Sequence, residues 1–250
     1  MKKIFIITII FLVAALASCG GNGDSDGSGL GDIVVGAPAE DENEAAGDVA
    51  GSVSEPADEP ADDQTDVTIE DFTYTIWPEG DEFWESQYFL LDMGIETLFI
   101  LKNKDWGALG ALVHPEQGLL FSPYGYIDTD TAVVLGVGDV KALEYDEEVR
   151  NWGIFAGKGD PIDLTFAEYY DRFIFNRDFT RDPRVSIDKT IQTNLLENLD
   201  VLGYGASFVE FNIPGTEEFA YMDWNSLRIV IGFYEGYPYL VGIVHDEWTP

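Results

Sequence analysis

Residues 68–250 are predicted to form an α+β domain, with helices laid on one face of an antiparallel sheet. Three observations predict it. Apolar residues recur at spacings of three and four early in this stretch and alternate strictly late in it, and helices followed by a run of strands give that class. All six tryptophans fall after Val67, so the aromatic mass of a core lies there. The 183 residues are enough for one domain with its own core.

Residues 1–19 read as an export signal. Met1-Lys2-Lys3 is a short basic start, Ile4 to Ala15 is apolar apart from Thr8, and Leu16-Ala17-Ser18 are followed by Cys19. The run is shorter than the roughly 20 residues a spanning helix needs. The segment resembles a bacterial lipoprotein signal, with Leu16-Ala17-Ser18-Cys19 as its lipobox. The resemblance implies that Cys19 becomes the acylated first residue and anchors the chain to the cell envelope. Gly20 and Gly21 after the cysteine imply the outer membrane where the cell has one, and otherwise the outer face of the cytoplasmic membrane. Cys19 is the single cysteine, so no intramolecular disulfide can form and no thiol remains for catalysis.

Residues 20–67 carry 14 acids, no Lys or Arg and no aromatic residue, with Gly, Ala, Ser and Pro between them. Such a segment buries too little apolar surface to offset the entropy of ordering and is expected to be a disordered stalk. As a flexible coil it would reach about 35–42 Å, further with charge repulsion. The remaining 68–250 carry 33 acids against 11 bases, a net −22. Phosphate backbones repel such a surface, which argues against nucleic acid as a partner.

Within the domain, Asp81 to Asn103 places Phe83, Trp84, Tyr88, Leu91, Ile95, Leu98, Phe99 and Leu101 on a helical stripe. Asp105 caps a second, short helix with Trp106, Leu109, Leu112 and Val113 inward. His114-Pro115 stops it, because the residue before proline is pushed out of the α region. "GLLFSPYGY" then runs extended, with Pro123 at an edge or bend. "TAVVLGVGDV" and "VRNWGIFAGKGDPI" alternate strands with glycine turns. Thr165 and Glu168 form a capping box that opens a helix with Phe166, Tyr169, Tyr170, Phe173 and Ile174 on one face. "SFVEFNI" alternates Val209, Phe211 and Ile213 against Phe208, Glu210 and Asn212. "LRIVIGFYEGYPYLVGIV" reads as two strands joined at Glu235-Gly236.

Helix, "KDWGALGALVHPEQG", strand, third helix and the terminal hairpin "LRIVIGFYEGYPYLVGIVHDEW" together resemble the NTF2-like (cystatin-like cone) superfamily over most of residues 82–248. Residues 127–160 are longer than the connection usual there. "HPEQGLLFSPYGY", "WGIFAGKGDPI" and "VHDEWT" also resemble a group of exported bacterial proteins. The superfamily resemblance implies a curved sheet wrapped on its helices and a small apolar ligand bound between them. Some members are isomerases or dehydratases that use Asp, His and Tyr.

The candidate pocket residues are His114, Tyr124, Trp152, Trp224 and His245. His114 stands past a helix C-terminus, where the dipole favours its charged form and a capping role suffices. His245 ends a strip formed by Tyr239, Val241 and Ile243, opposite Leu240, Val244 and Asp246. There it is either an acid/base looking into a pocket or a hydrogen-bonded residue at the sheet end. "GKGDP" lacks the spacing of a phosphate loop, and "DTDTAVVLG" puts Ala132 and Val133 where a calcium loop needs oxygen and glycine. Two histidines and one lipidated cysteine give no zinc site, Ser122 sits outside a nucleophile elbow, and neither metal nor cofactor is expected. The leading expectation is a tethered binding domain for a small apolar ligand or a protein. The alternatives are an NTF2-like isomerase, dehydratase or hydrolase using His245, and a structural homodimer formed through a flat sheet face.

Overall fold

The stop signals written into the sequence set the first helices. Helix α1 (Glu85–Lys102) begins after Trp84, whose N–H donates to Gln87 Oε1 at 2.9 Å. Its middle is buried almost all round, with Leu91, Leu98 and Leu101 fully inside. The stripe read from the sequence fails at its start: Trp84 is 76% exposed and Tyr88 47% exposed. Gly94 lets the helix settle on the sheet, since a Cβ there would meet the Val209 side chain at 2.9 Å. Helix α2 (Trp106–Leu112) is capped by Asp105, whose Oδ1 accepts from Ala108 N. His114 then leaves the helix and donates its N–H to Leu240 O.

The computed structural model describes residues 66–80, 82–194, 197–203 and 205–250, without the side chains of Glu85 and Ser86. The signal segment with Cys19, and residues 20–65 of the stalk, lie outside it. Asp66 and Val67, assigned to the stalk, already touch the domain: Lys102 Nζ donates to Val67 O at 3.1 Å and pairs with Asp66 at 2.7 Å.

The fold is α+β. Strands β1 (Thr75–Ile76), β2 (Leu119–Ser122), β3 (Val133–Leu135), β6 (Arg184–Ile187), β7 (Ser207–Ile213), β8 (Asn225–Tyr234) and β9 (Tyr237–Glu247) make one sheet, and β4 (Arg150–Ile154) pairs with β5 (Pro161–Leu164) apart from it. The sheet order is β1-β6-β7-β8-β9-β2-β3. The expectation of a purely antiparallel sheet is corrected, because β1 runs parallel to β6 and β2 parallel to β9. The short strand β2 lies beside the last strand, and the long stretch of chain between them supplies the connection that parallel pairing requires. A further correction is helix α3 (Val137–Lys141), which forms where glycine turns were expected. The hairpin is as read: Glu235 and Gly236 take φ of 52° and 83°, the left-handed pair a two-residue turn needs.

Helix α1 lies on β6, β7 and β8, and the capping box holds with Thr165 N donating to Glu168 Oε2 at 2.8 Å. The helix it opens, α4 (Phe166–Tyr169), widens into a π-helical turn (Tyr170–Ile174), and all five residues expected on its face are buried. They join Phe121, Trp106 and Trp152 in an aromatic core beneath the sheet. On the other face lies a smaller cluster of Leu120, Ile127, Leu202, Val230, Val241 and Val244. Asn225 to Gly232 and Leu240 to Asp246 are buried throughout, so the central strands are covered on both faces.

Candidate functional site

His245 stands on β9 opposite Leu227, on the core face. Its Nδ1–H donates to the carbonyl of Pro123 at 2.9 Å, just past the end of β2. That partner fixes the proton on Nδ1 and leaves the Nε2 lone pair to accept from Asn176 Nδ2 at 3.3 Å. Asn176 also donates to Asn225 Oδ1 at 2.7 Å, and Asn225 Oδ1 lies 3.2 Å from Nε2, a hydrogen bond only if the ring is protonated. Glu247 Oε2 is 4.0 Å away but is committed to Arg172, which grips both its carboxylate oxygens at 2.5 and 3.1 Å. Burial is the largest influence and pushes the imidazole down to about 4, while Glu247 and the Pro123 carbonyl pull the other way. The ring is therefore neutral near pH 7, with both nitrogens engaged by the protein itself.

The other expected pocket residues fall in three places. Phe173 collects some of them: its ring is 5.7 Å from His245 and 5.8 Å from Tyr124. Tyr124 Oη accepts from Ala156 N at 3.2 Å, and burial raises its pKa above the ordinary phenol value. Trp152 belongs to the same mass of rings, stacked on Tyr169 at 4.0 Å and donating Nε1–H to Leu164 O. Trp224 is buried just ahead of β8. His114 lies elsewhere, with its ring edge-on to Tyr234 and Tyr239 beside the hairpin. Its Nδ1 accepts from the N–H groups of Glu116 and Gln117 at 3.2 and 2.9 Å, the arrangement of a turn cap. The structure thus gathers His245 and Tyr124 around Phe173, places Trp152 one ring further on behind Tyr169, and sets His114 apart.

The strip read from alternation is partly corrected. Ile231 pairs with Leu240 while Val230 pairs with Gly242, so Val241 is an extra residue in β9. This bulge turns Leu240 to the core with Ile243, and Val241 to the opposite face with Val244. Beyond the bulge the reading holds for His245 and Asp246.

A second polar constellation was missed. Glu210, Arg228 and Asp246, on β7, β8 and β9, are buried together on the face away from α1. Arg228 Nε donates to Glu210 Oε2 at 3.1 Å, Nη1 to Asp246 Oδ2 at 3.2 Å and Nη2 to Gln192 O at 2.7 Å. Ile191 N donates to Glu210, and Thr193 Oγ1 donates to Asp246. Burial raises both carboxylates, with Arg228 pulling them back. Burial also works against the charge of Arg228, but Glu210 and Asp246 outweigh it and hold that charge firmly. The three side chains therefore pin the segment after β6 across the sheet. Gly125 closes the other side, since a Cβ there would lie 2.5 Å from Asp246 Oδ2.

The described residues include these recesses. One of about 410 Å³ lies on the second face between Phe208, Val230, Leu199 and Gly203, and one of about 70 Å³ lies between Trp77 and Trp84. Neither is lined by any of the five expected residues.

No family model matches the chain, and no curated protein matches it. Among solved structures, the Aln2 protein of a Streptomyces species is similar at a TM-score of 0.31 and 12% identity, over 67% of this chain and 94% of that one. A likeness at that level carries no argument about fold or function.

Proposed function

We propose that this chain is a cell-envelope lipoprotein whose residues 68–250 form an NTF2-like binding domain without chemistry of its own. Residues 1–19 direct export, Cys19 carries the lipid, and the acidic stalk holds the domain clear of the headgroups. The lipobox residues and the stalk's composition support the first part. For the second, α1 and α2, then β2, then α4, then the β8–β9 hairpin follow in the order the resemblance implies. Residues 127–160, longer than usual, accommodate β3, α3 and β4.

The observation that carries the binding reading is the filled interior. Where a cone would hold a small apolar ligand, Phe121 meets Trp152, Phe166 and Tyr169 edge-on at 6.1, 5.6 and 6.2 Å. His245 beside them is neutral and fully engaged, a poor acid or base near neutrality. Recognition then belongs to the outer surface. In the native state the protein should leave the fluorescence of anilinonaphthalene sulfonate unchanged, and strong enhancement without unfolding would reveal an open apolar cavity instead. The anchor is tested separately. Cys19→Ala should yield an unlipidated chain lost from the membrane fraction, and membrane retention with unchanged mass would overturn the lipoprotein reading.

A further inference from the structure

The loop between β7 and β8 carries its apolar side chains outward. Phe219, Tyr221 and Met222 are 55%, 62% and 46% exposed, three large apolar residues within four positions. The loop is tied at its base. Asp223 accepts from Thr216 N at 2.6 Å and from Thr216 Oγ1 at 3.0 Å, and Tyr221 N donates to Thr216 O at 2.7 Å. A Cβ at Gly215 would lie 2.6 Å from Tyr221 O, so the chain presses closely on itself there. Ala220 and Tyr221 both take left-handed backbone, at φ of 52° and 61°, where glycine is the ordinary occupant. A strained turn is thus held closed while its apolar side chains stay in water. Such strain collects at contact and switch sites, and exposed apolar groups of this size mark a surface that meets something.

The position of the loop indicates what it meets. Helix α1 and β7 run in the same direction: Gly94 rests on Val209, and Phe72 bridges Phe99 and Phe211 at 5.6 and 6.5 Å. Their C-terminal ends therefore lie at one end of the domain. On α1 that end is Lys102, which holds Asp66, Val67 and Thr180. On β7 it is the loop. Arg177 links the two. Its neighbour Asp178 accepts from Thr180 N at 3.0 Å, while the Thr216 N–H keeps the Asp223 carboxyl below its usual range and the Arg177 charge adds to this. The chain that leads back to Cys19 joins the domain at the end where the loop projects, and the Glu235-Gly236 turn lies at the other end of β8.

We infer that the Thr216–Asp223 loop is a membrane-contact loop, which sets Phe219, Tyr221 and Met222 into the headgroup region of a zwitterionic bilayer. The inference rests on the lipoprotein reading, and adds a docked state to the stand-off that the stalk permits. A coil of the stalk's length reaches about 35–42 Å, so the surface is always within range and even a weak contact is made often. Tyrosine, with its apolar ring and polar tip, suits the depth of the headgroups. The charges select the lipid. A domain at −22, with Glu217 and Glu218 exposed on the loop itself, is repelled by an anionic surface and equally by a second copy of itself. Zwitterionic headgroups impose no such field and offer their cationic groups to the two glutamates.

Cys19 is the single cysteine, so the full mature chain can be coupled through it to a maleimide lipid in phosphatidylcholine vesicles, whether or not a cell acylates it. A Phe219→Trp reporter should be quenched by brominated acyl chains. Phe233→Trp, 54% exposed beside the hairpin turn, should not. Tyr221→Asn with Met222→Ser should lower the docked-to-free ratio of the first reporter about tenfold. No loss of melting temperature should accompany it, since both side chains are exposed and asparagine tolerates the left-handed backbone. Replacing half the lipid by phosphatidylglycerol should weaken the quenching as well. Equal quenching of both reporters, none of Phe219→Trp, or quenching that survives the double change would overturn the assignment. A loop that stays in water on the vesicle would belong to a protein partner instead. Acylation is read separately by Cys19→Ala in cells, so failure here leaves the lipoprotein reading intact.

Discussion

The two faces of strands β7, β8 and β9 differ: one is held by apolar packing, the other by a charge network beside a smaller apolar cluster. On the core face, Val209, Phe211, Leu227, Ile229 and Ile243 meet α1 and the aromatic cluster, and the bonding is apolar area and ring packing. On the other face, Glu210, Arg228 and Asp246 hold a loop segment through ion pairs and backbone hydrogen bonds. The difference is one of failure mode. An apolar face loses stability in proportion to the volume removed, whereas a buried charge network loses it when one partner is left unpaired.

The largest expected effects break one face each. Arg228→Ala leaves two buried carboxylates without their cation and should cost about 3–5 kcal/mol, read by urea denaturation. Adding Glu210→Gln and Asp246→Asn should return much of that loss, because the unpaired charge goes with them. Phe121→Ala, which removes a ring that is 1% exposed, should also cost about 3–5 kcal/mol. No neutralising partner exists for that cavity. If the carboxylate changes fail to rescue Arg228→Ala, its role is packing and the contrast between the faces collapses.

The next test sharpens the comparison with pH. His245 has a folded pKa of about 4 against an ordinary 6.5. Between those values the unfolded ring binds more protons than the folded one, so stability falls as the pH drops across that window. The full difference corresponds to about 3 kcal/mol in order of magnitude. Glu210 and Asp246 act in the opposite sense, since their raised folded pKa values favour the folded state as they take up protons. His245→Gln should flatten the loss of stability from pH 6.5 towards 4 in urea titrations. An unchanged pH profile in that variant would mean the ring is not held neutral.

Much of the core face was legible in the sequence and little of the other was. Periodicity gave α1, α2 and the five inward residues after Thr165, because those signals are local: a cap, a proline, a spacing of three and four. The turn at Glu235-Gly236 was legible for the same reason. The charge ladder was not. Alternation puts Glu210 and Asp246 on the face away from the core, where charge usually meets water, and Arg228 interrupts an apolar strand. Yet nothing local shows that β7, β8 and β9 are adjacent, or that residues 191–193 return to cover them. The bulge at Val241 was hidden too, since one extra residue on a strand shows only in the pairing. Trp84 failed differently: it fits the helical spacing but falls at the cap, outside the buried part of the turn.

A smaller effect tests how tightly the ladder is closed. Gly125→Ala places a methyl 2.5 Å from Asp246 Oδ2 and 2.9 Å from Arg228 Nη1, side-chain atoms already fixed by other bonds. Overpacking of that kind should cost about 1–3 kcal/mol, measured by thermal melting. A neutral result would show that the segment around Gly125 moves aside freely.

The smallest effect concerns the histidine that is not in the core. His114 and His245 both have Nδ1 bonded to backbone, but with opposite polarity: His245 donates to a carbonyl, while His114 accepts from two N–H groups. The first arrangement locks a buried ring across two strands. The second caps a turn whose chain is already set by Pro115 and by the hydrogen bond from Gly118 N to His114 O. Glutamine offers a carbonyl oxygen of similar reach that can take over one of the two N–H groups. His114→Gln should then cost less than about 1.5 kcal/mol, a single net hydrogen bond. Urea denaturation of the two glutamine variants side by side decides it. If His114→Gln proves the costlier at neutral pH, the turn rather than the sheet corner depends on its imidazole, and the ranking of the two histidines is reversed.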